Sequence, residues 1–138
     1  MLRRPWTGAA CTGMIRGVEH LVDLDALASR LRPHLERWKQ SARVGEPTWR
    51  DEKAKWPQQS IADRSAVQVP ESLGLRVSIG ADEWEFVVWT GGWADTYTFV
   101  DGVLEPAGPE FVDADEAYAA VLRSIDSFLT ATTGSGHR

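Results

Sequence analysis

Leu21, Leu24, Ala28, Leu31, Leu35 and Trp38 recur at intervals of three and four, one stripe of an amphipathic helix. Asp23 stands where an N-cap is needed, and Asp25 suits the positive end of the helix dipole. Pro33 has no amide proton and crowds the preceding turn, so a kink or short break is expected at Arg32-Pro33, with the helix resuming to about Ala42. Beyond Val44 the period is lost. Gly45, Pro47, Pro57 and Pro70 mark a long connection, in which a short helix over residues 49–56 and a short strand over residues 66–69 are expected.

Alternation then returns. Leu73, Leu75, Val77 and Ile79 interleave with Gly74, Arg76 and Ser78, and residues 83–90 and 93–100 read as two further strands. Two-residue turns at Ala81-Asp82, Gly91-Gly92 and Asp101-Gly102 would set Val77 opposite Phe86, Phe86 opposite Tyr97, Trp84 opposite Phe99, and Phe99 opposite Leu104. That register collects one apolar face from Leu75, Trp84, Phe86, Tyr97 and Phe99. Trp89 has the opposite parity and joins Arg76, Ser78, Glu85, Val87, Thr96 and Thr98. Trp93 falls at the turn edge. The same register puts Asp95 on the apolar face opposite Val88, where a carboxylate needs a polar partner.

Asp113 with Glu116 three residues on resembles a capping box, and Tyr118, Leu122, Ile125 and Leu129, widened by Val121 and Phe128, form the stripe of a final helix. The whole is a two-layer α+β domain: an N-terminal helix, an antiparallel three- to four-stranded β-meander, and a C-terminal helix packed on the sheet. It occupies residues 14–131. Residues 132–138 read as a disordered tail, and residues 1–13 as disordered or as preceding a true start at Met14.

Charge divides the chain. Residues 1–64 carry 12 Lys/Arg against 8 Asp/Glu, and residues 65–138 carry 3 against 12. A strongly acidic side disfavours nucleic acid and favours a basic partner. No apolar run approaches the roughly 20 residues that span a bilayer. Arg3-Arg4 and Cys11 lack the apolar segment of a secretion signal between them, and a lone cysteine fits a reducing, cytoplasmic setting.

Candidate chemistry is sparse. His20, His34 and His137 are too scattered for a metal set, Gly91-Gly92 lacks the helix and lysine of a phosphate cradle, and no cofactor is indicated. No catalytic residue is assigned. Arg37, Lys39, Arg43, Arg50, Lys53 and Lys55 interleave with Trp38, Trp49 and Trp56, a mixture single-stranded nucleic acid sites use. Diluting acids favour instead a solvated basic loop whose tryptophans tuck into the core. The partner-binding set is Trp89, Trp93, Glu85, Arg76 and Asp95, where an indole supplies a large anchor.

The stretch Glu85-Phe86-Val87-Val88-Trp89-Thr90-Gly91-Gly92-Trp93-Ala94-Asp95, followed by Asp101-Gly102 and the acidic helix start at Asp113, resembles small bacterial immunity proteins of polymorphic toxin systems, the TriTu type being the nearest. The similarity covers about residues 75–129. It implies a non-enzymatic protein that binds and occludes a toxin, and the acidic half suits a basic one. Two rivals stand beside it: a dimeric secretion-chaperone-like protein, which shares the layout, and a small-ligand-binding domain or enzyme with a Trp-lined pocket around Trp93 and Asp95.

Overall fold

The structure, a computed structural model, describes residues 19–134, with side chains through Thr132. The segment 1–13 and residues 135–138 of the expected tail lie outside the described residues. The fold is α+β, with two helices on one side of an antiparallel sheet.

Helix α1 spans Leu24–Trp38, capped by Asp23, whose carboxylate accepts the Ala26 amide at 3.0 Å. It runs through Pro33 without a break and stops at Trp38, short of the expected end near Ala42. Pro33 lies on the exposed side, so one helical hydrogen bond is forfeited where water can satisfy the carbonyl, while Leu31 and Leu35 on either side are buried. Leu21 lies outside the helix and is 43% exposed.

The sheet holds six strands: β1 (Arg43–Val44), β2 (Thr48–Asp51), β3 (Pro70–Ile79), β4 (Asp82–Trp89), β5 (Trp93–Val100) and β6 (Val103–Ala107). Their order is β1-β3-β4-β5-β6, with β2 sharing the outer edge of β3 with β1. Residues 49–56 therefore begin as a strand, and the strand expected over 66–69 is replaced by a 3-10 turn at Arg64–Ala66 followed by loop. Long-range contacts override the local preference. Trp49 exchanges backbone bonds with Ile61 at 2.8 and 2.9 Å, and the Asp51 carboxylate accepts the amides of Lys53, Gln68 and Val69 at 2.8–3.1 Å. One buried carboxylate thereby closes the whole connection, and those amides hold its pKa below the usual range, Gln68 foremost.

Registers decide the faces. The first hairpin turns at Gly80-Ala81 with Gly80 at φ 59°, so Val77 faces Trp84 and Leu75 faces Phe86. That is two residues from the expected pairing, and a displacement of two keeps every side chain on its face. The second hairpin has a three-residue loop, Thr90-Gly91-Gly92. Trp89 faces Trp93, Val87 faces Asp95 and Glu85 faces Tyr97. A displacement of one reverses β5: Ala94, Thr96 and Thr98 lie toward the helices, while Asp95, Tyr97 and Phe99 join Trp89 on the other face. The third turn, Asp101-Gly102, has positive φ at both residues and sets Phe99 opposite Leu104, as expected.

Helix α2 spans Ala114–Gly134 and includes Thr132, where the tail was expected to begin. Asp113 accepts the Glu116 amide at 2.9 Å while Glu116 reaches back to the Val112 amide at 2.9 Å, completing the capping box one residue earlier than usual. Its most buried residues are Ala117, Val121, Ile125 and Phe128, so the core stripe is centred beside the expected one. α1 packs across β3 and β1, and α2 across β4 and β5. Trp84, fully buried, donates its indole N–H to Ser124 of α2 at 2.9 Å and anchors this core.

Candidate functional site

Because both helices cover one face, the other is built from the alternate residues of β2 to β6. From β2 come Thr48 and Arg50, from β3 Arg76, from β4 Glu83, Glu85, Val87 and Trp89, from β5 Trp93, Asp95, Tyr97 and Phe99, and from β6 Leu104 and Pro106. All five residues of the expected binding set lie on this face. Asp95 arrives there only through the slipped register. It is exposed, and its partner is the Trp89 indole, which donates to Oδ2 at 3.0 Å.

Trp89 is held from several sides. Its ring stacks near-parallel to that of Trp93, with centroids 5.9 Å apart at 14°. The Arg50 guanidinium lies 5.8 Å from the Trp89 centroid and the same distance from that of Trp56, so a row Trp56, Arg50, Trp89, Trp93 crosses the sheet. Trp38 and Trp49 tuck into the core as expected of the basic loop, but Trp56 is 62% exposed. Trp93 in turn rests on Gly91, where a Cβ would come within 2.5 Å of its ring.

The centre of the face is polar. Arg76 donates to Glu85 at 3.0 Å, and Tyr97 donates its hydroxyl proton to Glu83 at 3.4 Å. Burial, and then Glu85 and Glu83, raise the Tyr97 pKa, so the phenol keeps its proton. Gly74 lies under the Thr48 hydroxyl, with 2.5 Å to a Cβ placed there.

Asp95 was not the only contributor misplaced or unassigned in the sequence. Tyr97 and Phe99 follow from the reversal of β5, whose only local sign is a Gly at the last position of the loop, with Gly92 at φ 105°. Arg50 belongs to the face because β2 is a strand, and Trp56, in the loop beyond β2, lies with its ring centroid 5.8 Å from the Arg50 guanidinium.

Asp95 is open to solvent on the sheet face beside Trp93 rather than enclosed. A cleft of about 320 Å³ lies between α1 and the β1–β2 edge, floored by Leu31, Leu35, Leu73, Leu75 and Trp49. At one end the Asp25 carboxylate is held below its usual pKa by two hydrogen bonds from Arg64, at 2.7 and 2.8 Å. Among the described residues no group of three or more His, Cys, Asp or Glu could hold a metal ion, and no helix is long and apolar enough to cross a membrane.

No family model matches the chain, and no match is found among curated proteins or solved structures.

Proposed function

We propose that this chain is a non-enzymatic binding protein that docks a protein partner on the open face of its sheet, in the manner of an immunity protein occluding a basic toxin. The observation that carries the reading is the row of Trp56, Arg50, Trp89 and Trp93 on the face that neither helix covers. Aromatic and arginine side chains dominate interface energetics: an indole buries a large area with only two side-chain torsions, and a guanidinium presents a planar fork of donors. Here the indoles are already fixed by each other, by Asp95 and by Arg50, so little entropy remains to be lost on binding. The resemblance over residues 75–129 points the same way, and the acidic C-terminal half would speed encounter with a basic partner.

The test is to titrate the purified chain with the product of a toxin gene adjoining its own, alongside Trp89→Ala. Binding and protection by the parent, with a loss of about tenfold or more in the variant, supports the reading. Absence of both binding and protection overturns it. Light scattering on the free chain separates the chaperone-like rival, which requires a dimer and a co-purifying secreted partner.

A further inference from the structure

We propose that the β4–β5 strip of the open face recognises guanidinium groups, so that its partner is a polypeptide presenting arginine side chains. The inference rests on the docking reading above and specifies its chemistry. Between Arg76 and Arg123 the sequence has no lysine or arginine and ten Asp or Glu. Strands β4, β5 and β6 thus supply no cation of their own.

On this strip rings and carboxylates are matched by the register. Glu85 faces Tyr97 and Glu83 faces Phe99 across the strands, and Asp95 is bonded to Trp89. Each carboxylate therefore has an aromatic ring beside it. A guanidinium satisfies such a pair at once, because its plane stacks on a ring while its N–H groups fork onto the carboxylate. A lysine ammonium is a strongly hydrated point charge that cannot stack in this way.

The chain's own arginines already make both halves of the contact at the edge of the strip. Arg76 donates to Glu85 at 3.0 Å, and Arg50 lies over the Trp89 ring at 5.8 Å. Both come from β2 and β3. Toward β5 the rings and carboxylates continue while, among the described residues, the arginines stop, which is the charge pattern an arginine-bearing partner would complete.

The experiment is an amide NMR titration of the full chain with a nona-arginine peptide at low salt, in parallel with nona-lysine, and repeated on the Glu83→Gln/Asp95→Asn double variant. The Asp95→Asn change keeps a side-chain oxygen to accept the Trp89 proton, and an unchanged urea midpoint checks that the fold is retained. The expected result is perturbation confined to residues 83–99, with nona-arginine about tenfold tighter than nona-lysine and about tenfold weaker on the double variant. Equal affinity for the two peptides, perturbation centred on Asp113, Asp115 and Glu116 at the start of α2, or no weakening in the variant overturns the proposal. Failure here is distinguishable from failure of the docking reading. A natural partner that loses affinity with Trp89→Ala but not with the double variant leaves the face standing without the guanidinium chemistry, whereas indifference to Trp89→Ala removes the face itself.

Discussion

The Trp89 indole donates its proton to Asp95 Oδ2 at 3.0 Å, on the sheet face away from the helices. The bond exists because Thr90 is taken out of the β4–β5 ladder. Its carbonyl accepts the amides of Leu21 and Val22 at 2.9 and 3.1 Å, its hydroxyl donates to the Val22 carbonyl, and its amide donates to Glu71. The chain entering α1 thus lengthens the hairpin loop by one residue and turns Asp95 outward.

Gly92 is the residue that permits this loop. It sits at φ 105°, and a Cβ there would approach the Phe111 carbonyl oxygen to 2.7 Å. Gly92→Ala should cost about 1–3 kcal/mol, read as a lowered urea midpoint. Gly91→Ala instead meets the Trp93 ring at 2.5 Å, a side chain that can swing. It should alter the near-ultraviolet circular dichroism of the Trp89–Trp93 pair more than the midpoint.

The two faces predict unequal costs for tryptophan removal. Trp84→Ala empties a fully buried site and should cost about 3–5 kcal/mol. Trp89→Ala, on the half-buried open face, should cost less than half as much. Equal losses in urea unfolding would mean that the open face is covered, and the docking reading would lose its anchor.

Asp51 ties acid stability to the β2–β3 connection. Its folded pKa is lowered from an ordinary value near 3.8, so the carboxylate contributes stability above that value that is lost as pH falls from about 4 through the folded pKa. Urea midpoints should drop over this window in the parent chain. Asp51→Asn, less stable at pH 7, should show a shallower drop.

His34 makes a second titration at the seam between the helices. It is 2.7 Å from the Tyr118 hydroxyl, Arg30 lies 3.9 Å over the Tyr118 ring, and Arg30 bonds Asp115 at 2.6 Å. Burial, then the neighbouring Arg37, lowers its pKa below 6.5, against an opposing effect of Asp126. The unfolded chain therefore takes up this proton first. Stability is full above about pH 6.5 and falls as pH drops through 6.5 toward the folded value, where it levels off. An NMR titration should place His34 below 6.5, and His34→Gln should flatten that step.

By itself the sequence determined whatever depends on neighbours along the chain. The helical stripe from Leu24 to Trp38, the caps at Asp23 and Asp113, and the alternation of β3 and β4 rest on local periodicity and backbone preference. These placed Trp84 in the core and Trp89 on the opposite face even though the first turn was misjudged by one residue, because that moves the pairing by two and side chains alternate with a period of two. The tertiary structure decided what depends on odd displacements and distant partners. Whether Asp95, Tyr97 and Phe99 point in or out turns on one residue of hairpin loop, set by Leu21 and Val22 almost 70 residues before Thr90. Whether Trp49 to Asp51 form a strand turns on β3, on Ile61 and on amides that only the folded loop delivers to Asp51. No local pattern encodes such contacts, since their free energy appears only once the chain has closed around them.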